Sequence, residues 1–216
     1  MESNALHGTL PEAFGKLARL KYLALTNNRF SGTVPHSFHS LSNLADLHLS
    51  SNALTGTIHD GGVTMLPSLT TLDLSGNMLT GTIPEFRSHS QIQRIDLGYN
   101  GLRGTIPESF YSLLNLRVVN FDANEQLTGS ISTSIGNLKR LENVGLQFNS
   151  FTGSLPTELG RLANIKELKL NKNHFNGTIP PEMEQLESLV HFYVDENDLT
   201  GTVPVGLSRL TNLGEL

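Results

Sequence analysis

The strongest constraint on this chain is an asparagine that recurs nine times at a nearly constant spacing. Successive copies are 23 to 25 residues apart, and apolar residues precede each of them. A period of this length is typical of a solenoid, in which each unit is too small to bury its own apolar face and stacks on its neighbours. The copies are Asn4, Asn28, Asn52, Asn77, Asn100, Asn124, Asn149, Asn173 and Asn197.

This period predicts a single elongated domain over residues 1–216, with about nine repeats of 24 residues. The chain opens at Met1-Glu-Ser-Asn4, already at an asparagine, without the strand that should precede it, and it stops at Leu216 part-way through the next strand. Terminal repeats of a complete solenoid are atypical and polar on their outer face. We therefore expect an internal piece of a longer protein, uncapped at both ends and monomeric as a fragment.

Each unit begins with a short, half-buried strand. In the second full unit, Leu47 and Leu49 lie between the polar residues Asp46, His48 and Ser50. This period of two places one face of the strand in the core and the other in solvent. Eight coils repeat the alternation, and strands joined by about twenty residues pair in parallel through right-handed crossovers. We expect a curved sheet that lines a concave face.

The remainder of each unit turns the chain back towards the next strand. A buried asparagine amide both donates and accepts hydrogen bonds, so a stacked ladder of amides can satisfy buried loop groups. A second extended segment follows, such as residues 54–58, and a proline closes most units. Apolar pairs such as Phe38 and Leu41 then predict a short helical turn on the convex side.

The complete pattern, Leu-x-x-Leu-x-Leu-x-x-Asn-x-Leu-Thr-Gly-x-Ile-Pro-x-x-Leu-x-x-Leu, resembles the plant-specific class of leucine-rich repeats. Residues 20–41 and 165–186 follow it almost position for position. The resemblance implies an α/β solenoid, a right-handed superhelix with a parallel concave β-sheet and short helical turns on the convex side. That class forms the recognition domains of receptor-like kinases, receptor-like proteins and polygalacturonase-inhibiting proteins. It therefore implies a protein or peptide partner and an extracellular or membrane-anchored ectodomain.

Composition and motifs argue against other classes of function. The net charge of −5 lacks the basic stripe that nucleic acid requires, and the absence of cysteine removes disulfides and thiolate metal sites. No hydrolase, zinc-protease or phosphate-loop motif occurs, so we expect neither enzymatic activity nor a cofactor. No apolar run approaches the ~20 residues of a spanning helix, so we expect no membrane contact by this segment.

The solvent-facing strand positions form four columns of side chains on the concave face. Asp73 and Asp96 are neighbours in one column, where like charges repel, and Arg94 in the next column is the expected counter-ion. Aromatic or apolar side chains rimmed by charges are typical of a recognition hot spot. The predicted partner-binding residues are Asp73, Arg94, Asp96, Tyr99, Val118, Asp122, Phe148 and Tyr193.

Several alternatives remain open at this point. A partner's basic residue, or a cation bound by His48, Asp73 and Asp96, could neutralise the two aspartates. Thr-x-Thr segments such as that ending at Thr57 resemble the threonine arrays of ice-binding solenoids, although β-propensity explains them as well. An inhibitor of a cell-wall glycosidase and an intracellular scaffold are further possibilities. Asn176 begins the one N-glycosylation sequon, and a glycan there would show secretion.

Three coils depart from the pattern and predict irregular loops. The third coil lacks its proline and gains a residue, and its Gly61 and Gly62 favour a bulging loop over a phosphate cradle. The fourth coil has His89 where leucine is expected, and we interpret it as an outward or water-satisfied side chain. The sixth coil inserts one residue after Asn124 and has Ser132 in place of proline.

Overall fold

A computed structural model of the chain describes residues 1–58, 62–86 and 91–216. In these residues the chain forms 17 short strands and eight 3₁₀-helical turns. The strands make two sheets in which every pairing is parallel and joins successive coils, so the predicted solenoid is confirmed. The loop predicted at Gly61 and the histidine His89 lie outside the described residues.

The strand that opens each coil belongs to an eight-stranded parallel sheet. Its register aligns the same repeat position in every coil, so Asp73 lies opposite Asp96. The strands are β2 Tyr22–Ala24, β4 Asp46–His48, β6 Thr71–Asp73, β8 Arg94–Asp96, β10 Val118–Asn120, β12 Asn143–Gly145, β14 Glu167–Lys169 and β16 His191–Tyr193. The predicted columns of side chains are therefore present on the open side of this sheet, which we call the sheet face.

The second extended segment of each coil forms another parallel sheet, with nine strands in the described part of the chain. The strands are β1 His7–Thr9, β3 Arg29–Gly32, β5 Ala53–Thr57, β7 Met78–Thr82, β9 Gly101–Gly104, β11 Gln126–Gly129, β13 Ser150–Ser154, β15 His174–Gly177 and β17 Asp198–Leu199. The sequence predicts the extended conformation of these segments, and the structure adds that they pair across the whole stack.

The register of this second sheet explains its threonines. Thr57 lies opposite Thr80, not opposite the equivalent Thr82, because each coil is displaced by two residues. Gly81 has φ +83°, and a Cβ added to it would lie 2.8 Å from the methyl carbon of Thr57. The Thr80 hydroxyl donates to the carbonyl oxygen of Gly56 at 3.4 Å. Threonines on both sides of the glycine therefore serve the stacking of one coil on the next.

The helical turns follow the second strand and pack against each other along the opposite side of the stack. Those in the described residues are Glu12–Lys16, His36–Ser40, Val63–Met65, Glu108–Ser112, Thr133–Asn137, Thr157–Arg161, Pro181–Gln185 and Val205–Arg209. In most of them a proline with φ near −65° precedes the first helical residue, the position at which a missing N–H costs nothing. The predicted helical turns are confirmed, and all of them are 3₁₀.

From Asn28 to Asn197 the asparagine ladder lies inside the stack, as predicted, while Asn4 at its start is exposed. The Asn124 amide nitrogen donates to the carbonyl oxygens of Leu97 and Phe121, both at 3.1 Å, and its oxygen accepts the N–H of Leu102 at 3.0 Å. Each amide thus connects its own turn to the preceding coil. One rung differs, because the residue inserted after Asn124 displaces the chain there. At that rung the Asn149 oxygen accepts the N–H of Asn124 itself.

A tyrosine of the fifth coil compensates for the proline that the sixth coil lacks. Ser132 has φ −64°, a value that proline would adopt, but unlike proline it carries an N–H. That N–H donates to the hydroxyl oxygen of Tyr111 at 3.2 Å. Burial raises the pKa of Tyr111 to about 12, so the hydroxyl stays protonated at neutral pH. The tyrosine therefore compensates for the lost proline.

We expect Tyr111→Phe to lower the free energy of unfolding by about 1 kcal/mol, because it leaves the partly buried N–H of Ser132 without an acceptor. The same substitution in a Ser132→Pro background should cost close to nothing, since no N–H remains to be satisfied. Urea denaturation of the four proteins in a double-mutant cycle measures the difference. An equal cost in both backgrounds would show that the tyrosine contributes only by packing.

Candidate functional site

The sheet face carries most of the net charge of the molecule. Its four columns hold seven carboxylates and three lysine or arginine side chains, a net charge of −4 with histidine neutral, against −5 for the whole chain. These charged residues are Asp46, Asp73, Arg94, Asp96, Asp122, Glu167, Lys169, Lys172, Asp195 and Glu196. A face with this balance favours a cationic partner and raises the rate at which such a partner is encountered.

Arg94 is the counter-ion of the aspartate pair, as predicted. Its guanidinium nitrogen lies 2.9 Å from the Asp96 carboxylate. Burial raises the pKa of Asp96, the neighbouring Asp73 raises it further, and Arg94 opposes both effects. The second carboxylate, Asp73, accepts hydrogen bonds from the hydroxyls of Ser50 at 2.8 Å and Ser75 at 2.7 Å. Arg94 and the two serine hydroxyls therefore offset part of the repulsion between the aspartates.

Two predicted contact residues are more enclosed than the sequence suggests. Asp96 and Asp122 each expose only 6% of their surface. The Asp122 carboxylate accepts the side-chain N–H of Gln147 at 2.9 Å and the Gln147 backbone N–H at 3.1 Å. Burial raises the pKa of Asp122, and the hydrogen bonds from Gln147 oppose that shift. Both carboxylates therefore brace neighbouring coils, and their charge acts on a partner from below the surface.

A hollow of about 250 Å³ lies in the middle of the sheet face. Gly145 lines this hollow, and a Cβ there would lie 2.7 Å from an Asp122 carboxylate oxygen, so the absence of a side chain makes room for that carboxylate. Val118 lines the hollow and is half-buried, while ion pairs stand on both sides of it. On the far side from Arg94 the pair is Lys169 with Glu167, at 2.8 Å. Gly145 and Lys169 were not among the predicted contact residues, although a glycine in a column of larger residues is visible in the sequence.

The fourth column has an unusual backbone. Its members all have positive φ, including Tyr99 at 56° and Phe148 at 57°. Both aromatic side chains are exposed, by 59% and 42% respectively. The Lys172 ammonium lies 4.5 Å from the centre of the Phe148 ring. The two predicted aromatic contact residues are thus on one column and available to a partner.

Tyr193, the last of the predicted contact residues, lies at the other end of the sheet face. It is half-buried, its ring stacks on His191 with 6.1 Å between ring centres, and its hydroxyl donates to the Glu215 carboxylate. Tyr193 lies opposite Lys169, at the edge of the hollow. Of the other predicted contact residues, Arg94, Val118 and Asp122 line the hollow, and Asp73, Asp96, Tyr99 and Phe148 lie outside it on the same face.

The helical side has a larger and more open depression, of about 590 Å³. Its main charged groups are Glu108 and Lys139. The Glu108 carboxylate already accepts hydrogen bonds from the hydroxyls of Ser132 and Ser134. This carboxylate is committed to joining two helical turns, and the depression presents fewer free polar groups than the sheet face.

The described residues contain no group of three or more His, Cys, Asp or Glu side chains placed to hold a metal ion. His48 and Asp73 approach to 3.9 Å but do not form such a group with Asp96. Asn176 is exposed in the second sheet, between Ser154 and Asp198. Within the same described ranges, no helix has the length and apolar character of a membrane span.

Comparison with protein families gives two matching descriptions, both of leucine-rich repeats. One matches residues 1–54 and 18–79, and the other matches residues 91–113 and 164–186. Together these ranges cover more than half of the chain. No curated protein matches it significantly.

Solved structures of plant proteins resemble the chain along its whole length. The Arabidopsis receptor kinase HAESA, solved with the peptide hormone IDA and the co-receptor SERK1, has 31% identity and a TM-score of 0.93 over 99% of this chain. The plant peptide hormone receptor RGFR1, in complex with RGF2, has 29% identity and a TM-score of 0.85 over 98%. This chain spans 36% and 38% of those two structures. A plant ice-binding protein has 28% identity and a TM-score of 0.79 over 100% of this chain and 70% of its own.

Proposed function

This chain is a plant-type leucine-rich-repeat protein, and we propose that it is a recognition module that binds a cationic peptide or protein segment on its sheet face. The mechanism is preorganisation. The parallel sheet is hydrogen-bonded from each coil to the next, so its side chains are held in fixed positions. Docking of a partner therefore costs little additional conformational entropy.

The observation that carries this proposal is the concentration of net negative charge on one face, next to exposed aromatic side chains. Most of the chain's net negative charge lies there, around a hollow and two exposed aromatic residues. The amide oxygen of Asn171, in the third column, is buried and has no donor among the described residues. An acceptor-rich face of this kind is complementary to a partner that brings N–H donors and positive charge.

The similar receptors support the class of partner and its compartment. HAESA was solved with a peptide hormone and a co-receptor, and RGFR1 is a peptide hormone receptor, so we propose a peptide or protein ligand for this chain as well. They also support placement in an extracellular or membrane-anchored ectodomain, where Asn176 would be open to glycosylation. We propose no catalytic step for these residues.

Selection of a random peptide library on the immobilised protein tests the proposal. Selected peptides should be basic, and their affinity should fall at least about tenfold for Val118→Lys, which fills the hollow and adds positive charge. The matched control is Leu114→Lys, an exposed apolar residue on the helical side that receives the same substitution. Peptides that bind both variants as well as wild type, or that lose affinity for Leu114→Lys, would overturn the sheet-face proposal.

Ice binding is the second candidate, favoured by the similar ice-binding structure and by exposed threonine pairs such as Thr57 and Thr80. The stacking contacts of the threonines already explain their presence. Thermal hysteresis measured on the same preparations separates the two functions. If the protein shows thermal hysteresis that Thr57→Lys abolishes, and no peptide is selected, ice binding and not peptide recognition is its function.

A further inference from the structure

The fourth column places large side chains where the backbone disfavours them. Tyr99, Ala123 and Phe148 occupy successive coils with φ of 56°, 53° and 57°. Asparagine and glycine tolerate this left-handed conformation best, and other coils use them, as at Asn27 and Gly76. Strained residues that the surrounding structure holds in place are concentrated at functional sites. The aromatic members of this column are therefore candidates for a role beyond folding.

These three residues follow one another in successive coils, and we call the space above Ala123, between the two exposed aromatic side chains, the aromatic slot. The N–H of Tyr99 donates to the carbonyl of Asp122 at 2.7 Å, and that of Ala123 to the carbonyl of Gln147 at 2.9 Å, so the column is stacked at strand spacing. Two steps of ~4.8 Å place the aromatic positions about 9.6 Å apart, with the alanine methyl between them. No ring contact joins Tyr99 to Phe148 in the described part of the chain.

The surroundings indicate which chemical group fits. Phe148 already carries a cation on its ring, the ammonium of Lys172, which comes from the coil beyond it and not from the side of Ala123. Asp122, in the third column beside Ala123, adds negative charge near the floor of the slot. A planar guanidinium stacks on aromatic faces and gives up its hydration more easily than an ammonium. Midway between the two rings it would lie within the ~6 Å reach of both.

We infer that the aromatic slot holds the guanidinium of an arginine in the peptide partner, stacked between Tyr99 and Phe148. This inference rests on the proposed recognition function and specifies its anchor. It also explains why an alanine separates the two rings. A larger residue at 123 would fill the slot, and a ring there would close it.

A titration of the whole chain with acetyl-alanyl-arginyl-alanine amide, followed by NMR of the aromatic signals, tests the slot directly. Saturable shifts should appear at Tyr99 and Phe148. The citrulline counterpart, which has the same shape without the charge, should bind at least about tenfold more weakly. Equal affinity for the two peptides, or tighter binding of the lysine counterpart, would overturn the inference.

Asparagine variants separate binding from folding. Tyr99→Asn and Phe148→Asn should each reduce the affinity for the arginine peptide at least about tenfold, while the thermal midpoint stays the same or rises, because asparagine tolerates positive φ. The control is Tyr22→Asn, an exposed aromatic of the same face outside this column. It should leave binding unchanged without a rise in midpoint. Unchanged binding by both slot variants contradicts the slot. If selected peptides still depend on Val118 in that case, the recognition function itself stands.

Discussion

Replacement of Asn124 by alanine is expected to lower the free energy of unfolding by about 3 kcal/mol, one of the largest effects that a single polar side chain can have here. The reason lies in how the ladder distributes its bonds. The carbonyl oxygen of Leu97 accepts from both Asn100 and Asn124, so it keeps one donor after the substitution. The buried N–H of Leu102 loses the acceptor that the Asn124 oxygen provides. Urea denaturation gives the total loss, and amide exchange at Leu102 should accelerate locally.

The matched control is Asn4→Ala at the exposed start of the ladder. The Asn4 amide donates to the carbonyls of Met1 and Glu2, and the residue is exposed to solvent. Its loss should change stability by less than about 0.5 kcal/mol. Similar losses at positions 4 and 124 would mean that the amide acts through local turn preference and not through satisfaction of buried groups.

Much of the fold could be predicted from the sequence because the same pattern of apolar residues and asparagine recurs in nine repeats. The alternation at Leu47 and Leu49 identified the sheet, and the asparagine spacing identified the ladder. The two-residue displacement between Thr57 and Thr80 could not be predicted, because it depends on how far each coil is offset from the last. That offset depends on how neighbouring coils pack, and the sequence of a single repeat does not specify it.

For the candidate site, the sequence predicted which residues lie in each column of the sheet face. Period-two alternation placed Asp96 and Asp122 on the sheet face, but not their depth, because depth depends on whether neighbours such as Gln147 close over them. Periodicity also gave no sign that Tyr99 and Phe148 have positive φ. Their side chains are not those that the left-handed region favours, so residue preference argues against the conformation that the coil imposes.

Replacement of Gly160 by alanine is the other substitution with a large expected effect. Gly160 lies in the helical turn Thr157–Arg161, where the next turn approaches so closely that an added Cβ would lie 2.8 Å from both the carbonyl carbon and the Cβ of Glu182. Since that carbonyl is backbone, the contact is relieved only if the turns separate. We expect a loss of about 3 kcal/mol, the upper end for one added methyl in a packed region.

The control is Gly214→Ala, because the nearest atom to a Cβ there is the carbonyl oxygen of Val190 at 3.8 Å, an ordinary contact distance. That variant should keep wild-type stability to within about 0.5 kcal/mol, since it adds the same methyl without displacing a turn. That result would show that the helical turns pack through close approach of their backbones at glycine and not through interdigitation of side chains. Glu184 and Gly206 show the reverse arrangement, because a Cβ added to Gly206 would lie 2.7 Å from the Cβ of Glu184 in the preceding turn. An equal cost at Gly160 and Gly214 would point instead to the flexibility of glycine as the relevant property.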